Sequence, residues 1–180
     1  IMMKSDFDEK KTALAFFEWY DKPIRHIVDN RNGVWGVMPR NKEQRFALDM
    51  LLNPSIPLVS VVGKAGCGKS LLCLAAGLEQ VLSPESNYKR LIVARPVQPM
   101  GKDIGNLSAH EIKTIITRVG ENTKIVFTGD IDQIDNVYVD ATSNGLSYVV
   151  EKMKDQYIAG HITLKKGERS ILASIASKIL

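Results

Sequence analysis

The sequence predicts an α/β protein built on a mostly parallel sheet with helices on both faces. Three observations lead there. A glycine-rich run, Gly63 to Ser70, follows an apolar run and opens an apolar helical segment. Short apolar runs then alternate with helical segments along the chain, as expected of parallel strands, which need a crossover between them. The 180 residues, 44% hydrophobic and 24% charged, suffice for one domain with a sizeable core.

The elements follow in order. Residues 6–20 read as a helix, with Leu14 and Phe17 on an apolar side and Asp6 and Asp8 suited to the positive N-terminal end. Pro23 stops it. Residues 24–28 and 34–38 flank Asp29-Asn30-Arg31-Asn32-Gly33, and Asn-Gly between apolar runs signals a hairpin with a longer loop. Residues 1–38 are therefore expected to form a helix and β-hairpin element, ahead of the main domain at 39–180. Phe46, Ala47, Met50 and Leu51 give 41–52 helical spacing, and Asn53-Pro54 ends it. Strands are expected at 58–62, 91–94, 125–128 and 161–164, and helices at 69–82, 108–119, 144–154 and 170–180. Ser108 and Glu111 have capping-box spacing.

Composition narrows the class. No apolar run reaches membrane-spanning length, so no membrane partner is expected. Lys4, Asp6, Asp8, Glu9 and Lys10 make the start unlike a signal peptide. With two cysteines and no secretory signal, a cytoplasmic location is expected, with Cys67 and Cys73 as packing residues rather than a disulfide. The net charge of +4 mildly favours an anionic partner, although plain solubility needs no more. His26, His110 and His161 lack zinc-ligand spacing. Trp19 and Trp35 could stack on bases; packing is their commoner role.

The chemistry concentrates in Gly63-Lys64-Ala65-Gly66-Cys67-Gly68-Lys69-Ser70, which fits G-x-x-x-x-G-K-[ST] between an apolar run and a helix. Glycines let backbone N–H groups turn around a phosphate, and the helix N-terminus adds its dipole. Lys69 would neutralise the β and γ phosphates, and the Ser70 hydroxyl would ligate Mg²⁺. Asp130 and Gln133 follow the run Lys124 to Thr128. The carboxyl ends of parallel strands line the ligand crevice, so Asp130 would lie near the phosphates and Gln133 could position water. The same residues would also serve as a polar turn. Arg169, at the entry to the last expected helix, could stabilise charge on a transferring phosphoryl group or simply be solvated. Asn41-Lys42-Glu43-Gln44 differs from a guanine-reading N-K-x-D in its last residue and its place before the loop. Gln44 offers a donor and an acceptor, which suits an adenine edge or an ordinary helix surface.

Together, the stretches from Trp35 to Gln44, Gly63 to Ser70, Ala94 to Gly105, Thr128 to Asp135 and Leu164 to Ser170 closely resemble the PhoH family, in the bacterial form often preceded by a PIN ribonuclease domain. The resemblance runs from Trp35 to Leu180. It implies a phosphate-starvation-associated ATPase with a RecA-like P-loop fold, similar to the first motor domain of superfamily 1 helicases. It implies that Gln44 reads adenine, that Asp130 and Gln133 sense the γ-phosphate, and that Arg169 is a motif IV arginine. It further implies ATP and Mg as cofactors, RNA as polymer partner and a homo-oligomer, with a hexameric ring as one form. The family carries several dozen residues after the equivalent of Gly105, ending in an Asp-Glu-Ala-Gln Walker B motif. Here Gly105 meets Asn106 directly. A segment missing between 105 and 106 would leave a hole beside the P-loop strand, and Gly105 and Asn106 would lie far apart. Residues 1–34 do not resemble a PIN domain, so no nuclease site carries over. The expected function is ATP hydrolysis coupled to RNA binding or unwinding. The alternative is an ATP-binding regulatory switch with weak hydrolysis. A small-molecule kinase would need an Arg-rich lid and a substrate domain, and neither is visible.

Overall fold

The computed structural model describes residues 2–4, 12–17, 21–27, 32–94, 107–130 and 145–167. The chain opens with an antiparallel sheet of β1 (Met2–Lys4), β2 (Thr12–Phe16) and β3 (Arg25–His26), in that order. Leu14 lies opposite Met2, and Ala15 opposite His26. The helix expected over 6–20 is thus replaced by strand at 12–16. The cause is a tether that local spacing cannot reveal: Arg25 lies over the Phe16 ring, 4.9 Å from its centroid, and makes paired 2.9 Å bonds to buried Asp49. The expected hairpin also differs. Arg25 and His26 pair back onto β2, whereas Val34 and Val37 exchange N–H···O bonds of 3.0 and 2.9 Å around Trp35-Gly36. Both turn residues have positive φ, 51° and 71°, as a two-residue hairpin turn requires.

Asn41 caps α1 (Lys42–Leu52) by accepting from the Gln44 N–H at 2.9 Å. The helix buries Ala47, Leu48, Met50 and Leu51 and ends at Asn53, as the Asn53-Pro54 signal anticipates. Then come β4 (Leu58–Gly63), α2 (Lys69–Leu82), α3 (Ala109–Ile116), β5 (Ile125–Gly129), α4 (Gly145–Met153) and β6 (Ala159–Leu164). The Ser108–Glu111 capping box forms, and α3 ends at Thr117, short of the expected 119.

These strands make a parallel sheet in the order β5-β4-β6. Central β4 is buried throughout, as parallel strands covered on both faces are. Val59 and Val61 join Leu48 and Leu51 of α1 and Leu72, Ala75 and Ala76 of α2 in the main core. Burial of each large aliphatic side chain there contributes about 1.5–3 kcal/mol. On the other face, Leu58 and Ser60 line a small cleft together with Val150 and Met153 of α4. The architecture is α/β, with helices on both faces of this sheet.

One expectation needs correction. Residues 91–94 form no strand, and Ile92 and Val93 are 75% and 69% exposed. Among the described residues they pair with no strand of the β5-β4-β6 sheet, and without pairing their apolar character alone does not make a strand. The Gly105–Asn106 junction and the helix expected at 170–180 lie outside the described residues.

Candidate phosphate-binding site

Gly63 closes β4 where no side chain fits: a Cβ would collide with the Leu164 carbonyl oxygen and lie 2.9 Å from Cys67 Sγ. The loop turns through Gly66 and Gly68, whose φ values of 79° and 88° favour glycine. Cys67 is fully buried and anchors the loop to the core, while Lys64 and Gly66 face solvent and Ala65 is half-buried. Gly68 is the N-cap of α2 and offers no side-chain cap bond. The first-turn N–H groups thus point outward with the positive end of the helix dipole, the arrangement that binds anions.

Lys69 folds back over this loop. Its Nζ donates to the Gly63 and Lys64 carbonyls, the latter at 2.9 Å, and lies 3.8 Å from Cys67 Sγ. The ammonium is therefore held at the mouth of the loop, and Ser70 follows it, exposed, in the first turn. Gln44 adds a connection that sequence reasoning missed. Its Nε2 donates to the Cys67 carbonyl at 3.1 Å, and its Oε1 accepts from the Arg40 N–H at 2.7 Å. The buried amide thus latches the start of α1 to the loop.

Gly129 pairs with Val62, so Asp130 leaves β5 level with Gly63 and is half-buried. The structure brings Gln44, the loop residues, Lys69, Ser70 and Asp130 to one end of the sheet. Gln133 and Arg169 lie outside the described residues. Among the described residues no group of three or more His, Cys, Asp or Glu could hold a metal ion. The phosphate cradle fits a nucleotide. Among the described residues, the Ser70 hydroxyl and the Asp130 carboxylate are oxygen donors at this end that could face Mg²⁺.

A second unforeseen contact steadies the frame. Lys124, just before β5, donates to the carbonyls of Met50 and Asn53 at 2.9 and 2.6 Å. The last turn of α1 has no basic residue of its own, and Lys124 supplies that charge from 71 positions away. Burial pushes its pKa down to about 8. Cys67 and Cys73 are free thiols, and burial pushes Cys73 up to about 12, leaving it inert. No described helix is long and apolar enough to cross a membrane.

A glycine loop leaving a central parallel strand, closed by its lysine and opening an uncapped helix, defines a P-loop protein of the nucleotide-binding α/β class. The chain belongs to the PhoH family: the family model described as PhoH-like protein matches residues 36–111 and 105–179. It is 35% identical over 246 aligned positions to Protein PhoH2 of Bacillus subtilis (strain 168), covering 99% of this chain and 55% of that protein. It is 30% identical to Protein PhoH2 of Thermobispora bispora, covering 89% and 51%, and 28% identical to that of Mycolicibacterium smegmatis, covering 86% and 49%. The chain thus spans about half the length of these relatives. No solved structure matches it significantly.

Proposed function

We propose that this chain is a RecA-like ATPase domain that binds Mg-ATP on the Gly63–Ser70 loop and couples its hydrolysis to RNA binding or unwinding. The loop geometry carries the reading: positive-φ glycines, an uncapped α2 N-terminus and Lys69 converge at the end of the central strand. Lys69 exchanges its loop carbonyls for the β and γ phosphates. Gln44 holds the loop closed, and its remaining amide valences can meet the adenine edge. Ser70 and Asp130 would hold Mg²⁺, which neutralises phosphate charge when bound. Gln133 positions water, and Arg169 stabilises the transferring group, in a reaction run by positioning and electrostatics. The net charge of +4 and a pI near 9.0 suit an anionic polymer. A single such domain offers half a cleft, so a ring of copies, a hexamer among the options, would supply the other half in the cytoplasm.

A second reading is an ATP-binding switch with weak hydrolysis. The direct succession of Gly105 and Asn106, without an acidic strand end between them, favours it. Steady-state ATPase assays with and without RNA decide. Turnover stimulated by RNA supports the first reading, binding with negligible turnover the second, and absence of ATP binding at millimolar concentration overturns both.

A further inference from the structure

Trp35 occupies a backbone position that its own side chain does not favour. It is the first residue of the two-residue turn between Val34 and Val37, and its φ is 51°. Such turns prefer Asn-Gly or Gly-Gly, because a large substituent on Cβ crowds the left-handed region. Burial does not offset that strain, since the indole is 54% exposed. The turn is held by its flanks instead: Val34 is buried in the main core cluster, and Val37 packs against it. Trp35 is thus a bulky aromatic kept at a strained position and presented to solvent. A strained residue that adds little to the core points to a role in binding.

The stretch that carries the turn lies against the phosphate loop. Val34 belongs to the same buried cluster as Cys67. Further along, the Arg40 N–H donates to Gln44 Oε1 at 2.7 Å, and Gln44 Nε2 donates to the Cys67 carbonyl at 3.1 Å. Gln44 also closes on the loop's last glycine, where a Cβ on Gly68 would lie 3.3 Å from Nε2. The loop and Asp130 supply polar groups for phosphate and metal but no aromatic face. Among the described residues, the exposed large aromatics are Phe17, Trp35, Tyr148 and Tyr157. Phe17 follows β2 of the N-terminal sheet, and Tyr148 lies on α4. Tyr157 precedes β6, at the end of the sheet opposite the loop. Trp35 stands on the stretch that the Gln44 latch ties to the loop.

We propose that the Trp35 indole is a stacking platform for the purine ring of a nucleotide whose phosphates sit on the Gly63–Ser70 loop. This rests on the reading of that loop as a nucleotide site. Gln44 meets such a ring at its edge, through hydrogen bonds, which leaves the faces open. An indole covers a flat heterocycle by offset stacking without reading its exocyclic groups. The platform therefore favours purines over the smaller pyrimidines and separates adenine from guanine little. Fixing the indole on a two-residue turn also reduces the ordering that a mobile side chain would undergo when the ligand arrives. The strain at Trp35 accompanies that pre-organisation.

The test compares wild type with Trp35→Gly, Trp35→Asn and Trp35→Tyr. Glycine and asparagine both tolerate the positive φ, so these two variants should fold and melt near the wild-type temperature. Calorimetric titrations use ATP, UTP and inorganic tripolyphosphate. Wild type should bind ATP several-fold more tightly than UTP. Trp35→Gly should weaken ATP by roughly five- to a hundredfold, the range that base–aromatic stacking spans on truncation. It should weaken UTP less and leave tripolyphosphate unchanged, while Trp35→Tyr keeps most of the ATP affinity. In a Trp19→Phe background, which leaves Trp35 as the single tryptophan, ATP should quench the fluorescence and tripolyphosphate should not. The proposal is overturned if folded Trp35→Gly or Trp35→Asn binds ATP as wild type does, or loses ATP and tripolyphosphate equally. It is also overturned if ATP affinity stays while a single-stranded oligoribonucleotide is lost, which would give the indole to a polymer base. The two readings fail differently. Wild type that binds neither ATP nor tripolyphosphate removes the phosphate site and the platform with it, whereas tripolyphosphate binding with no preference for ATP over UTP removes the platform alone.

Discussion

Replacing Gln44 with leucine should show whether this side chain reads a base or holds the loop. Its amide bridges the Cys67 carbonyl at 3.1 Å and the Arg40 N–H at 2.7 Å, and the residue is 4% exposed. Leucine has similar bulk but no polar atoms. A buried polar group left without a partner costs about 1–3 kcal/mol. The two ends differ in consequence. Arg40 is exposed, so water can replace the lost acceptor there, whereas Cys67 is fully buried and its carbonyl has no such recourse. The cost therefore falls mainly at the loop, and we expect a loss of about 2 kcal/mol. For a domain of this size that lowers the melting temperature by roughly 4–8 °C. If about 1.4 kcal/mol of the loss appears as disorder that a ligand must reverse, affinity for the phosphates falls about tenfold. Calorimetric titrations with ATP and with inorganic tripolyphosphate, side by side, separate the roles. A latch weakens both ligands alike; a base reader weakens only ATP. Unchanged melting together with unchanged tripolyphosphate affinity would refute the reasoning.

Other perturbations give further checks. Lys69→Ala should keep the fold, because the side chain bonds only to loop atoms, yet lose most ATP binding or turnover; wild-type titration and turnover would remove Lys69 from the site. Arg169→Ala should bind ATP nearly normally while turnover falls by roughly a thousandfold, and mixing it with Lys69→Ala subunits tests whether the arginine acts across an interface; wild-type turnover by the single variant would discard it. Lys124 has a folded-state pKa of about 8 against an ordinary 10.5, so the unfolded chain holds more protons between those values. Stability should therefore rise as pH climbs from 8 to 10.5, by at most about 3 kcal/mol and by less insofar as the two carbonyls favour the charged form. Urea melts of wild type and Lys124→Met across that range check it, and identical slopes would remove Lys124 as the cause.

The parts legible in the sequence are those whose determinants sit close together. The phosphate loop, α2 at both ends, the Ser108–Glu111 box and the stop at Asn53-Pro54 each rest on residues within a turn or two of one another. Thr12–Phe16 was illegible because its partner strand and the Asp49 anchor of that partner are remote. Residues 91–94 have the apolar character of a strand but join no strand among the described residues, and pairing, not composition, decides. The candidate site divides the same way. Lys69 and Ser70 are named by spacing alone, but the capture of the Gln44 amide by the loop requires two segments 23 residues apart to meet. Lys124 looks like an ordinary strand-flanking charge until α1 is placed beneath it.

Central β4 has a consequence for the flanks of the site. Its last residues lie abreast of the ends of both neighbours, Val62 opposite Gly129 and Gly63 opposite Leu164. The loop therefore leaves the sheet between two chain segments, one beginning at Asp130 and the other at Lys165. The two ends lie on opposite sides of β4, and the chain from β5 reaches β6 only by way of α4. A group bound at the loop would thus have a strand end on either side of it, so a substitution at one of these ends changes one flank of the site and leaves the other in place.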